Sequence, residues 1–168
     1  MTRFFDLDEA NAAIPEVRAI LEALRSEKEE LRGLRDDILA LQPASESRSD
    51  APAEANVGGA GRSGDAPTTT ELEPAEALED DHARDRDQLR RILRLRMQGV
   101  IDRMQAGVLR IDELGITLRE IETGLIDFPA LATGRQIWLC WRLGEDDVAW
   151  WHDLNDGFGG RRSLVDLT

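Results

Sequence analysis

Residues 124–162, GLIDFPALATGRQIWLCWRLGEDDVAWWHDLNDGFGGRR, are the stretch on which the reading of the fold turns. They hold all 4 Trp, the only Cys, one of the 2 His and half of the 4 Phe. Aromatic residues make up only 5% of the chain, so this crowding marks where specific packing must sit. Two runs, 137–143 and 148–151, flank Gly144-Glu145-Asp146-Asp147, a four-residue loop suited to closing a β-hairpin. In that register Trp141 faces Trp150, Cys140 faces Trp151 and Leu139 faces His152. Cross-strand aromatic pairs of this kind contribute roughly 0.2–1 kcal/mol each. Just upstream, 116–121 alternates apolar and polar side chains, the period of a half-buried strand, and 125–128 reads as a short strand that stops at Pro129.

Ahead of these strands the apolar spacing becomes helical. Asp6, with Glu9 three residues on, has the spacing of a capping box, so a helix starts at Leu7 and Phe5 tucks against the core beside it. Pro15 lacks a backbone donor, which predicts a short helix over 7–13 and a restart with Pro15 in the first turn of a longer one. From Val17 the apolar residues repeat every seven: Val17, Leu24, Leu31 and Ile38 form one row, Ile20, Leu34 and Leu41 a second that Glu27 interrupts. Arg18–Glu22, Arg25–Glu29 and Arg32–Asp36 stand at i,i+4 on the opposite face. A second helix opens near Leu89, where Leu93, Met97, Val100, Met104 and Ile111 continue a three-to-four spacing that Gly115 ends.

Between the helices, 43–74 is rich in Pro, Gly, Ser and Ala, with Val57 and Leu72 its sizeable apolar side chains, and a run of acids follows. Such a composition buries too little apolar surface to offset the entropy of ordering. The expected organisation is one α+β domain made of residues 1–42 and 84–168. It comprises a long antiparallel helical hairpin followed by a small antiparallel β-sheet, split by a disordered acidic insertion over 43–83.

Charge narrows the function classes. With 34 Asp+Glu against 21 Lys+Arg the formal net charge is −13, which opposes binding to nucleic acid or an anionic membrane. Arg90, Arg91, Arg94 and Arg96 do form a basic helical patch, but no aromatics interleave and an acidic run precedes it, so no nucleic-acid partner is expected. No apolar run approaches the ~18 residues of a membrane helix, the first residues do not read as a signal peptide, and the one cysteine excludes an intrachain disulfide. The expected setting is cytoplasmic.

Candidate chemistry gathers at the hairpin. His152, followed by Asp153 and Asp156, could begin a metal site or serve as an acid/base or ligand-orienting group, but a strand-end His bonded to an Asp or a backbone carbonyl is the simpler reading of the pattern. Cys140 reads as an inert thiol, because the register above puts it on the opposite side of the sheet from His152. Residues 157–162, GFGGRR, could cradle an anion, or form a plain turn whose arginines pair with Asp153, Asp156 or Glu145. A pocket among the tryptophans would be rimmed by His152, Arg142 and Asp127. The candidate ligand-binding set is therefore His152, Asp156, Arg161, Arg142 and Asp127, with no catalytic residue, metal-ligand set or cofactor assigned.

Arg3-Phe4-Phe5 with Glu9-Ala10-Asn11, then Gly124-Leu125-Ile126-Asp127-Phe128-Pro129, then Leu139-Cys140-Trp141-Arg142-Leu143-Gly144-Glu145 and Trp151-His152 with Gly157-Phe158 and Gly160-Arg161, form a recognisable set of motifs. The chain thereby resembles a small prokaryotic family catalogued as a domain of unknown function. The resemblance covers both ends, omits the 43–74 tract, and implies the architecture without implying an activity. The function expected from the residues is a non-enzymatic oligomerisation or protein-interaction module, a homo-oligomer through its heptad-spaced helices. The alternative is a small-molecule- or metal-binding, enzyme-like site around His152.

Overall fold

The computed structural model describes residues 3–42 and 74–167. Two helices, α1 (Leu7–Ala40) and α2 (Pro74–Glu113), precede a five-stranded antiparallel meander: β1 (Thr117–Glu120), β2 (Leu125–Ala132), β3 (Arg135–Arg142), β4 (Trp150–His152) and β5 (Arg162–Ser163), paired in that order. The architecture is α+β, a helical hairpin followed by a sheet. Two compact units divide the chain, Met1–Gly33 with Met97–Thr168, and Leu34–Arg96. The first holds the whole sheet. In the second, Leu34 is buried and Arg90 donates to the carbonyl of Leu41.

The start of α1 follows its sequence. Glu9 N–H donates to Asp6 Oδ1 at 2.8 Å and Asp6 N–H to Glu9 Oε2 at 3.1 Å, a reciprocal capping box. Phe5 is buried edge-on against Phe128, with ring centroids 5.2 Å apart. Pro15, however, does not break the helix. It lies inside a continuous α1 with an exposed ring, while Ile14 and Val17 on either side are buried. Packing of the row Ala10, Ile14, Val17, Leu21 and Leu24 outweighs the one hydrogen bond that Pro15 cannot make. That row follows helical spacing and brings in Leu21, which the seven-residue rows omitted; Leu31 and Ile38 are only half-buried.

α2 begins at Pro74, ahead of the Leu89 start indicated by apolar spacing. Pro is at ease in a first turn, where its missing N–H has no helical partner, and Arg84 bonds back to Asp80 and Asp81 within the acidic run. Residues 43–73 of the expected disordered insertion lie outside the described residues. Against α1, Gly107 lets the helices approach closely: a Cβ there would sit 3.0 Å from Leu24 Cδ2. Arg110 pairs with Glu16, and Arg103 with Glu27 and Glu30, so the two helices run antiparallel. The α1 pairs expected at i,i+4 give way to other partners: Arg18 donates to the carbonyl of Glu145, and Arg32 pairs with Glu29 and Glu122. Gly115, at φ 80°, ends α2 with bonds from its own N–H to Asp112 and from Ile116 N–H to Ile111.

β2 runs on through Pro129 to Ala132 rather than stopping at the proline. At that position β1 has already ended, so the side of β2 facing away from β3 is free of strand pairing. Pro129 turns its carbonyl to that side, where it accepts the Phe5 N–H at 2.8 Å, and no ladder donor is missed. Thr133 and Gly134, at φ 48° and 78°, then close a two-residue hairpin into β3.

The pairing of β3 with β4 departs from the expected hairpin by one residue: Trp138 faces His152, Leu139 faces Trp151 and Cys140 faces Trp150. The cause lies in the connection. Instead of a tight loop over 144–147, the segment docks on α1, with Val148 N–H donating to Asn11 Oδ1 at 2.8 Å and Glu145 carbonyl receiving Arg18 and Trp141. A one-residue slip sends every side chain to the other face. Ile126, Phe128, Leu139, Trp141 and Trp151 therefore share the inner face with the α1 row, in one buried cluster. Asp127, Cys140 and His152 share the outer face.

Candidate metal centre

Three neighbouring strands each supply one side chain to the outer face. Asp127 of β2 stands opposite Cys140 of β3, and His152 of β4 lies diagonally beside Cys140 through the Trp138 pair. All three are buried, at 1%, 0% and 3% exposure, and their ligand-capable atoms lie within 4.8 Å of one another. A carboxylate, a thiol and an imidazole set this close on rigid strands, out of water, is a costly arrangement unless each finds a partner.

The hydrogen bonds fix the orientation of each group. His152 Nδ1 lies 2.8 Å from the carbonyl of Asp153, which can only accept, so Nδ1 carries the hydrogen. In the neutral ring Nε2 is then a lone pair, and it faces Asp127 Oδ2 at 3.2 Å. With the ring neutral, two acceptors point at each other; a proton on Nε2 makes the contact a hydrogen bond instead. Asp127 Oδ2 also receives Arg119 Nε at 2.6 Å, whereas Asp127 Oδ1 is buried without a hydrogen-bond partner among the described residues. Burial, then the Asp127 charge, and a hydrogen bond from the thiol to the Asp127 carboxylate besides, push the Cys140 thiol up to about 12.

Over this trio lies a cleft of about 260 Å³, walled by Arg119, Leu125 and the segment Leu154 to Phe158. Of the ligand set expected from sequence, the structure brings His152 and Asp127 into contact and places Asp156 on the cleft wall, bonded to Arg162 at 3.3 Å. Arg161 and Arg142 turn elsewhere. Arg161 pairs with Glu145 at 2.8 Å and stacks on Trp150 and Phe158, and Arg142 lies over Phe158. Arg162 also pairs with Asp153, so the 157–162 segment behaves as a turn tied down by acids.

Sequence reasoning missed two members of the site. Cys140 is hidden by the expected register, which sets it on the opposite side of the sheet from His152, whereas the observed pairing puts both on one face. Arg119 is the extra residue of a β-bulge: Leu118 pairs with Ile126 and Glu120 with Leu125, leaving Arg119 unpaired and aimed at Asp127. Nothing in the alternation of 116–121 announces that bulge.

A family profile described as "Uncharacterized conserved protein (DUF2203)" matches residues 3–164. The chain belongs to the DUF2203 family. No curated protein and no solved structure matches it. Among the described residues no helix is long and apolar enough to cross a membrane.

Proposed function

We propose that this DUF2203 protein binds a divalent transition metal of the zinc class through Asp127 Oδ1, Cys140 Sγ and His152 Nε2. One observation carries the reading: the bond from Nδ1 to Asp153 turns the Nε2 lone pair toward a carboxylate, beside a second carboxylate oxygen with no partner. A cation placed among the three groups relieves both conflicts. The surroundings are those a metal site uses, since the far nitrogen of a ligating His donates to a carbonyl and the ligating carboxylate is held by a further donor, here Arg119.

Ligand chemistry selects the ion. A thiolate with an imidazole suits zinc or a similar borderline metal and disfavours magnesium or calcium, which take oxygen ligands. A tetrahedral ion sets such atoms roughly 3.3–3.6 Å apart, given zinc bonds of about 2.0–2.3 Å. The ligand-capable atoms of the three residues lie within 4.8 Å of one another, so binding needs a modest closing of side chains. Three protein ligands leave one position of such an ion open, as in sites that act on a bound molecule.

Elemental analysis of the purified full chain after zinc loading and desalting tests the proposal. About one equivalent is expected for the native protein, and its loss in both His152→Ala and Cys140→Ser. A native protein that retains no stoichiometric metal leaves only a proton on Nε2 to reconcile the two acceptors, and the proposal fails.

A second reading, assembly through the helices, has its own observation. Leu31, Ile101, Met104, Val108 and Leu109 line an open apolar groove along α1 and α2, with Leu109 61% exposed. A second copy of the chain covering this groove would make the four-helix arrangement that the heptad-spaced rows anticipate. Light scattering over a dilution series should then report a dimer or larger species; a monomer throughout the micromolar range removes this reading and leaves the metal reading untouched.

A further inference from the structure

Resting on the metal reading, we infer that the open position at Asp127, Cys140 and His152 takes a small carboxylate-bearing ligand, held at its other oxygen by Arg119. Charge is the first argument. The two anionic ligands cancel a divalent ion, the imidazole adds nothing, and the partly exposed Arg119 guanidinium leaves a surplus of positive charge at the mouth of the site. Asp156 lines the same cleft but is already paired with Arg162, so it does not neutralise that surplus. An anion is the complement.

Geometry is the second argument. Arg119 spends its Nε on Asp127, and its planar fork is fixed further by stacking on Trp138, with the guanidinium carbon 5.0 Å from the ring centroid. Its terminal Nη groups make no hydrogen bond among the described residues, and the side chain is 41% exposed on the cleft wall. A planar acceptor with two oxygens can meet the metal with one and this fork with the other. Size is the third. A cleft of about 260 Å³ lies below the range of drug-sized sites, and Leu125, Leu154 and Phe158 give it apolar walls for a short carbon chain. A short-chain carboxylic acid fits all three arguments.

The test uses the full chain loaded with cobalt(II), whose visible spectrum reports its coordination, with metal content measured first. Acetate is the probe and acetamide, its neutral isostere, the control. Acetate should shift the spectrum saturably, acetamide should not, and isothermal titration should return the same acetate affinity. Arg119→Gln, which can still donate to Asp127, should keep its cobalt and bind acetate at least about tenfold more weakly; Arg119→Lys, which keeps the charge without the fork, should fall between. Protein that holds cobalt yet is indifferent to acetate, or that treats acetate and acetamide alike, overturns the inference while the metal reading stands. Undiminished acetate binding in Arg119→Gln also overturns it. Protein that takes up no cobalt ends both, and the metal measurement tells the two failures apart. Should Arg119→Gln not fold, the acetate–acetamide comparison on the native chain decides alone.

Discussion

The two faces of one sheet are built from alternate residues of the same strands, yet they are packed on opposite principles. The inner face sets Ile126, Phe128, Leu139, Trp141 and Trp151 against Ala10, Ile14 and Val17 of α1, and its polar atoms are few and answered: Trp141 Nε1 donates to Glu145 and Trp151 Nε1 to Ser163. The outer face buries Asp127, Cys140 and His152 just as deeply and leaves one carboxylate oxygen unanswered. Apolar burial stabilises a fold by its area alone, whereas burial of polar groups costs stability unless each is paired. A chain that needed only a stable sheet could have filled the outer face with valine. The inner face holds the sheet to α1, whereas the outer face carries a polar cluster that stability alone does not call for.

The inner face gives the largest expected effect when broken. Phe128→Ala removes a fully buried ring that meets Phe5 edge-on and should cost about 3–5 kcal/mol in urea denaturation. Below its lowered midpoint the variant should still take up zinc, because Asp127 and its neighbours occupy the other face. Loss of metal from a folded Phe128→Ala protein would show that the two faces are not separable.

The outer face gives the next effect, and its sign depends on the ion. Without metal, His152→Ala should cost less than Phe128→Ala, since truncating the imidazole also removes one of two opposed acceptors. With zinc at a hundred times its dissociation constant the native protein should gain about 2.7 kcal/mol and the variant nothing, by mass action on the folded state. Equal stabilisation of both proteins would place the metal somewhere other than this trio.

How much of this contrast was legible in the sequence follows from the range of the forces involved. The Asp6–Glu9 capping box and the Gly115 stop were readable because each is settled within one turn of chain. Pro15 and Pro129 were misread because their local cost is offset at a distance, by the buried α1 row in one case and by Phe5 N–H reaching the Pro129 carbonyl in the other. The β3–β4 register slipped for the same reason: Gly144-Glu145-Asp146-Asp147 is a sound hairpin loop by composition, but Asn11 and Arg18 of α1 draw the segment aside. That single residue of slip decided the site. Asp127 and His152 were picked out from their residue types, while Cys140 needed the true register and Arg119 needed the bulge.

The smallest expected effect sharpens the contrast from a third direction, that of polar groups left in water. Glu122, in the turn between β1 and β2, bonds Lys28 at 2.8 Å and also Arg32, tying the turn to α1 with every partner substantially exposed. The Lys28 ammonium, and after it the Arg32 guanidinium, hold the Glu122 carboxyl below its ordinary value of 4.5. A carboxyl lowered in the folded state contributes stability that is present above that value and disappears as the pH falls through the lower, folded one. Glu122→Gln should therefore lower the thermal midpoint slightly at neutral pH, less than either buried substitution, and the gap should close in acid. Salt should close it too, since exposed pairs are screened within about a Debye length. A gap that survived both treatments would mean that Glu122 acts through packing rather than charge.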